Sequence, residues 1–318
     1  MAVLSTRYMG LNLDSPLVAA ASPLSRTLEG CRRLEDAGIS AIVLFSLFEE
    51  TVEDYERGCS DKAYRTQYGT PTFGPHEYVE HLARVVDAVD VPVLGSLNVS
   101  RVGPWESYAV ELEQAGAAGI ELDIYKVMAD PSIDDAGVLA GYCDCLHQVK
   151  RAVSIPVALK LAPYFTNLAA AAARFDEAGA DALVLFNRFF QPSIDVEERR
   201  LLWDLDLSTQ ADSRLPMMWI AILTGQLSAG LAASGGIFAA EDVVRMLMAG
   251  ADVAMLCSVL LAEGPYQTRH IRDALSRWLD EHHCETLETI RGVMRLANHA
   301  DAEAYKRGGY ARILNRRW

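Results

Sequence analysis

The chain repeats one phrase in which a helix-like stretch ends in alanine and glycine and an apolar run follows at once. It occurs at residues 35–42, 113–120, 177–184 and 248–255, with the glycines Gly38, Gly116, Gly179 and Gly250. A residue that turns the chain out of a helix often takes the left-handed conformation, which glycine adopts without a side-chain clash. The phrase therefore predicts a helix–glycine–strand joint, and its repetition favours parallel strands joined by right-handed crossovers.

Eight short apolar runs predict strands, and helix-like stretches lie between them. The strands are expected at 17–21, 41–46, 91–98, 119–124, 157–161, 182–186, 229–234 and 253–257. The helices are expected at 28–37, 77–89, 105–115, 140–153, 167–178 and 240–249. Eight such units favour a (β/α)8 TIM barrel, with an open doubly wound sheet as the alternative. We expect a single domain over 1–318, with an insertion at 189–214 after strand six and extra helices in 263–318.

Composition restricts the partners. The net charge of −14 disfavours nucleic acid and anionic membrane surfaces, which are themselves negative. The six cysteines form no CxxC pair, so they indicate reduced thiols and no metal centre. The first residues lack a secretion signal, which favours a cytoplasmic protein. The uncharged stretch 215–240 is long enough to span a membrane, but its glycine-rich second half predicts a buried strand and a turn.

Loops that follow the strands of such a barrel form its active face, so residues there are the first functional candidates. After strand seven, Gly235 and Gly236 begin a helix, and Cys257 and Ser258 follow strand eight. Free backbone N–H groups at these places predict a phosphate site, although a plain tight turn also explains the glycines. Lys160 ends strand five and is predicted to point inward, where a buried lysine needs an anionic partner. That partner is either a phosphorylated cofactor or, across the interior, Asp123 or Glu121.

Several phrases together resemble the dihydroorotate dehydrogenase family from Met9 to about Arg312. They are 15–22 (SPLVAAAS), 95–100 (GSLNVS), 120–124 (IELDI), 157–165 (VALKLAPYF), 234–237 (SGGI) with 241–242 (ED), and 250–258 (GADVAMLCS) with 263–265 (EGP). The resemblance implies FMN at the barrel mouth, with its phosphate on Gly235, Gly236, Cys257 and Ser258. It also implies that Ala21 and Ser22 lie along the isoalloxazine, that Asp123 belongs to the cofactor site, and that Lys160 faces the N1 and O2 edge. A cation there favours the anionic reduced flavin.

The residues that would bind the substrate differ from the family's pattern. The family's strand-two lysine falls on Phe45, and two asparagines of the following loop become Thr66 and Thr72. Asn187 matches, but Arg188 replaces a small hydroxyl residue. Loss of the groups that hydrogen-bond a polar planar substrate lowers discrimination by several powers of ten, so we expect a pocket that has diverged from dihydroorotate.

The catalytic base of the family, a cysteine or a serine, falls on Lys126. Tyr125 and Lys126 are the candidate bases, provided that their pKa values are shifted, and ordinary loop residues are the alternative. The resemblance implies a flavin-dependent oxidoreductase acting on CH–CH groups, a homodimer and a redox acceptor or partner protein.

Three other functions stay open. One is a genuine dihydroorotate dehydrogenase of pyrimidine synthesis with a soluble acceptor such as fumarate. Another is a non-catalytic flavin-binding or interaction subunit. The last is a barrel isomerase or aldolase with Lys160 as a Schiff-base amine.

Overall fold

The computed structural model describes residues 2–57, 73–189, 191–202, 206–301 and 303–315. Eight parallel strands close into a barrel, because each pairs with the next and the last pairs with the first. In chain order they are β1 (Leu17–Ala19), β2 (Ala41–Val43), β3 (Val93–Val99), β4 (Gly119–Ile124), β5 (Val157–Leu161), β6 (Ala182–Leu185), β7 (Gly230–Ser234) and β8 (Val253–Leu256). A two-residue strand, Leu47–Phe48, continues the pairing of β2 with β3. The predicted (β/α)8 barrel is confirmed.

Helices cover the outside of the barrel. They are α1 (Leu28–Asp36), α2 (Glu49–Glu56), α3 (Pro75–Val86), α4 (Trp105–Gln114), α5 (Asp135–Ala152), α6 (Leu168–Glu177), α7 (Arg214–Leu223), α8 (Ala240–Ala249), α9 (Ser258–Glu263), α10 (Gln267–Glu281) and α11 (Arg307–Leu314). The last two lie in the C-terminal region where extra helices were expected. The predicted boundaries differ from these by a few residues at most ends, and α8 has the predicted bounds.

The repeated glycine joint has the predicted conformation. The glycines at its four occurrences have φ values of +94°, +93°, +92° and +120°, in chain order. At Gly250 a Cβ would lie only 2.2 Å from the Thr224 hydroxyl oxygen, so the joint is also too tight for a side chain. Helix end and strand start are thus linked by a turn that only glycine fits, as the sequence predicted.

Alternation along the strands divides the apolar residues into two cores. In β5, Val157, Leu159 and Leu161 face the helices, whereas Ala158 packs in the interior with residues of the other strands. An antiparallel N-terminal hairpin, Thr6–Tyr8 with Leu11–Leu13, contributes to that interior core. The side chain of Thr6 donates to the carbonyl of Asp252, which precedes β8, so the hairpin lies at the amino end of the barrel. The other end is left for the functional loops.

The insertion after β6 contains a small hairpin, Ser193–Asp195 with Arg200–Leu202, and a 3-10 turn, Gln210–Ser213. Three helices were not predicted, α2, α7 and the short α9. In α2 the acidic run EETVEDYE follows the short Leu47–Phe48 strand, and in α7 the run RLPMMWIAIL is too uniformly apolar for a clear period of 3.6 residues.

The uncharged stretch 215–240 divides between α7 and β7, which fits the buried strand predicted for its second half. Within the part of the chain that the structure describes, no helix combines the length and the apolar character needed to cross a membrane.

Candidate active site at the barrel mouth

A cavity of about 330 Å³ opens at the carboxyl ends of the strands, where the functional loops of a barrel lie. Its lining comes from the residues after β1 and β2, from the ends of β4, β5 and β6, from the insertion, and from the loops after β7 and β8. The volume falls in the range of small-molecule pockets, roughly 300–1,000 Å³. In the described ranges, no set of three or more His, Cys, Asp or Glu side chains is arranged to hold a metal ion.

Lys160 lines the floor of this cavity with Asp123 of β4, and a second carboxylate of β4, Glu121, contacts Lys160 outside the cavity lining. Strand register places Asp123 beside Lys160, and alternation turns both side chains inward together with Glu121. The Lys160 Nζ lies 3.4 Å from Glu121 Oε1, and the two side chains are 7% and 0% exposed. The sequence left a cofactor and a carboxylate open as partners of Lys160. Glu121 supplies a salt bridge, while Lys160 still lines the cavity.

Burial controls the protonation of this group. It raises the pKa of Glu121 and of Asp123, although Lys160 opposes the rise in both. For Lys160 burial acts to lower the pKa, but the charges of Glu121 and Asp123 outweigh it, so the pKa is raised. Lys160 is therefore a cation at neutral pH and supplies positive charge to the cavity floor.

Asp123 is held by two amides. Asn98 on β3 donates its Nδ2 to Asp123 Oδ2 at 3.1 Å, and Asn187, which follows β6, donates to Oδ1 at 2.5 Å. The predicted substrate residue Asn187 is thus brought to the cavity together with Asp123 and Lys160. The Nδ2 group of Asn187 is already paired, because it donates to Asp123.

A hydroxyl cluster joins the two loops that were predicted to bind phosphate. The hydroxyl of Ser208, in the insertion, lies 2.6 Å from that of Ser258 and accepts the backbone N–H of Gly236 at 3.2 Å. Gly235, Gly236, Cys257 and Ser258 all line the cavity, so the predicted phosphate residues meet at one place. Around the Cα of Gly235 the space for a side chain is open, with no atom within 4 Å of an ideal Cβ.

The predicted residues after β1 and β2 also reach the cavity. Ala21 and Ser22 line it, and so does Phe45. The Phe45 ring packs against Phe73 and Tyr78, with ring centroids 5.0 and 5.1 Å away. This aromatic packing fills the region where the resemblance would have placed a lysine.

Arg188 lines the cavity as well, but its charge is already paired. Its Nη1 lies 3.2 Å from Asp212 Oδ1, and its Nε donates to the carbonyl of Asp206 at 3.0 Å. Arg188 therefore ties the insertion to the end of β6, and its predicted contact with substrate stays a prediction.

The two candidate bases lie outside the cavity lining. Lys126 is exposed, and the ring of Tyr125 stacks on Phe189 with centroids 4.9 Å apart. Phe189 lines an adjoining cavity of about 200 Å³. Thr66 and Thr72, predicted as substrate residues, fall outside the described residues.

Sequence reasoning missed several lining or supporting groups. Asn98 supports Asp123 from the inner face of β3, and Ser208 and Arg26 line the cavity from an insertion and from the loop after β1. The alternating pattern of β3 could have predicted the inward position of Asn98, because Leu94, Ser96 and Asn98 share one face of the strand. Arg26 ends a short 3-10 helix, Pro23–Arg26, and Ser208 lies in an irregular segment, so neither has such a period.

Fold and site define a (β/α)8 protein with a buried lysine–carboxylate group and a glycine-rich rim at the mouth. A family model described as dihydroorotate dehydrogenase matches residues 67–279, about two-thirds of the chain. The chain therefore belongs to the dihydroorotate dehydrogenase family, as the sequence motifs indicated.

Individual relatives are distant. A protein of Shouchella clausii named dihydroorotate dehydrogenase B (NAD(+)), catalytic subunit, is 28% identical over 65% of this chain and 69% of its own length. Proteins of the same name from Methanocaldococcus jannaschii and Thermoplasma acidophilum are 25% and 23% identical over 92% of this chain, and over 98% and 99% of their own lengths. This degree of identity indicates a divergent member of the family, and the family is one of oxidoreductases that act on CH–CH donors.

Proposed function

We propose that this protein is an FMN-dependent oxidoreductase whose substrate pocket differs from one that holds dihydroorotate. The observation that carries the proposal is the position of Lys160, a buried cation at the floor of the same cavity that the glycine-rich loops border. Family membership supports FMN as the cofactor. Bound FMN would supply the hydride acceptor of the reaction.

The residues of the cavity fit FMN. The loops after β7 and β8 would hold the phosphate through backbone N–H groups and the hydroxyl of Ser258, and the open space at Gly235 permits a close approach to the backbone. Ala21 and Ser22 would lie along the ring system. Lys160 would hold positive charge beside the ring edge, because Glu121 and Asp123 keep it protonated. The phosphate would also compete with Ser208 for the N–H of Gly236.

The visible absorption spectrum of the freshly purified protein tests the cofactor. We expect flavin bands and release of FMN on denaturation. A colourless protein that also fails to take up added FMN would contradict the proposal. Screening of electron donors, with dihydroorotate first, then tests the substrate, and we expect dihydroorotate to be a poor one.

Lys126 is the candidate general base of the proposed reaction. As the general base it would have to move toward the mouth with its exposed segment, and removal of a positioned base lowers turnover by about 10²–10⁴-fold. We expect Lys126→Ala to lower turnover of the identified donor at least about 100-fold, and Tyr125→Phe tests the other candidate. Unchanged turnover in Lys126→Ala, with unchanged FMN content, would remove Lys126 from the mechanism.

A non-catalytic flavin-binding subunit is the second candidate. The exposed position of Lys126, away from the cavity lining, favours it. The two functions differ in one measurement, the rate at which small donors reduce the bound flavin. Useful reduction that is lost in Asn187→Ala supports the enzyme, whereas bound flavin that no donor reduces supports the subunit.

The proposal extends to the electron acceptor and the oligomeric state. The relatives from Shouchella clausii and Methanocaldococcus jannaschii are named dihydroorotate dehydrogenase B (NAD(+)), catalytic subunit, which supports a separate redox partner or acceptor for this protein too. We propose a cytoplasmic homodimer, and the acceptor is either a nicotinamide nucleotide or, as the resemblance also suggested, fumarate.

A further inference from the structure

Three ionisable side chains meet in the barrel interior at the base of the cavity, and their charges do not cancel. Strand register places Asp123 beside Lys160, and Glu121 Oε1 lies 3.4 Å from the Lys160 Nζ. All three side chains are buried. When all three are ionised, the group has one positive and two negative charges, so one carboxylate charge is left without compensation inside the group.

Four side chains that lie near this group on neighbouring segments are neutral. Asn98 of β3 and Asn187, which follows β6, donate amide N–H groups to Asp123 at 3.1 and 2.5 Å. Tyr8 of the amino-terminal hairpin and Cys257, which follows β8, are the other two. Burial raises the pKa of both, so both stay protonated at neutral pH. None of the four supplies a second positive charge.

Three further charged residues line the cavity from outside the barrel strands: Arg26, Arg188 and Asp206. Arg188 is paired with Asp212 at 3.2 Å, and Asp206 is exposed, so water screens its charge. Arg26 lies against the Phe45 ring, with its guanidinium carbon 5.5 Å from the ring centroid. The charge that opposes the rise in the pKa of Asp123 is that of Lys160, so Lys160 is the cation that governs the group.

Reduction of a flavin in the cavity would add a further negative charge beside this group. The proposed function places the ring edge at Lys160, so the ring and the two carboxylates would share one cation. A nearby negative charge raises the pKa of a carboxyl group, because it disfavours the ionised form. Asp123 lines the cavity, whereas Glu121 lies outside the lining and is 0% exposed. Asp123 is therefore the carboxylate that borders the ligand and that solvent protons can reach through the mouth.

We propose that the Asp123 carboxylate takes up one proton from solvent when the bound flavin is reduced at neutral pH. The inference rests on the proposed function, because it needs FMN beside Lys160, and it deepens that function by naming how the site compensates charge. A hydride from the donor brings two electrons and one proton to the flavin, and the donor's second proton leaves through the general base. The solvent proton converts Asp123 into a neutral carboxyl group, so the summed charge of flavin and group is unchanged. Asp123 takes no part in the hydride transfer and acts on the flavin through charge, as a positioning residue.

The reduction potential of the bound flavin tests the proposal when it is measured from about pH 5 to pH 9, the range that the pKa values of buried carboxyl groups reach. A two-electron couple shifts by about 30 mV for each tenfold change, so every proton bound on reduction adds about 30 mV per pH unit to the slope. We expect a slope of about 60 mV per pH unit over about one pH unit or more in the wild type, and about 30 mV throughout in Asp123→Asn. The absorption of the reduced flavin shows whether its own N1 binds a proton, and the slopes are compared where the flavin stays anionic.

Infrared difference spectra give a second measurement, which decides the question in the wild type even if a variant fails to fold. The reduced-minus-oxidised spectrum should contain the C=O band of a newly protonated carboxyl group. Asp123→Asn should lack that band. The control is Asp144→Asn, which removes the same charge from an exposed position of α5 and should keep both the band and the wild-type slope.

Three results would overturn the proposal. They are a wild-type slope of about 30 mV per pH unit throughout, a wild-type spectrum without the band, and loss of the band in Glu121→Gln but not in Asp123→Asn. The last result would assign the proton to Glu121. A protein that binds no FMN contradicts the proposed function, whereas a flavoprotein with any of these three results contradicts only the role of Asp123.

Discussion

Replacement of Lys160 by methionine is expected to lower the free energy of unfolding by about 3–5 kcal/mol. The reason is the Glu121 carboxylate, which is 0% exposed and would lose its cationic partner. Its Oε2 atom already lacks a hydrogen-bond partner, so no nearby group compensates. Chemical denaturation followed by tryptophan fluorescence, with and without added FMN, measures the loss.

The double variant Lys160→Met with Glu121→Gln is the matched control. It removes both charges, so it should recover more than half of the lost stability. The pH dependence gives a second check. Burial raises the pKa of Glu121 and Lys160 opposes that rise, so Lys160→Met raises this pKa further. The folded variant then binds the proton more tightly than the folded wild type, and the deficit should shrink as the pH falls. A deficit below about 1 kcal/mol would show that the pair is not an essential part of the core.

Replacement of Gly236 by alanine is expected to weaken FMN binding by about 10²–10³-fold. Gly236 has φ of +71°, and an added Cβ would lie 2.4 Å from the Ser213 nitrogen and 2.6 Å from the Thr209 carbonyl oxygen. Left-handed strain and overpacking together cost about 2–5 kcal/mol. Because these contacts are backbone atoms, relief requires the insertion to move away from the loop after β7.

Gly235→Ala is the control for that prediction. Gly235 also has positive φ, +100°, but an ideal Cβ there meets nothing within 4 Å. It carries the backbone strain of about 1–2 kcal/mol and places a methyl group in the open space beside the predicted phosphate, but it leaves the insertion in place, so FMN affinity should fall less, roughly 10-fold. Titration of the flavin-free protein with FMN measures both constants. Equal affinities in the two variants would show that the packing of the insertion against Gly236 does not matter for the cofactor.

Much of the fold could be read from local patterns. The glycine joints specify how each helix turns into the next strand, and eight of the apolar runs became the eight barrel strands. Alternation then placed Lys160 inside, where it pairs with Glu121. Of the missed helices, α9 has only six residues, and α2 and α7 have a weak period, because one is short and acidic and the other is largely apolar.

The family and the loops of the proposed phosphate site were also available from the sequence, since both depend on short contiguous phrases. Family membership is confirmed by the match over residues 67–279. The roles of the individual site residues are still predictions, which the FMN and Lys126 experiments address.

Only the tertiary structure decided which side chains meet. Asp123 is bound by amides 25 and 64 residues away in the chain, and Ser208 reaches the loop after β8 across 50 residues. Helix ends, glycine joints and strand alternation depend on neighbours a few residues away, so the sequence by itself determined them. Contacts between distant segments depend on how the barrel closes and on the path of irregular loops. That is why the sequence showed Lys160 and the glycines, whereas the amides that hold Asp123 became visible only in the folded chain.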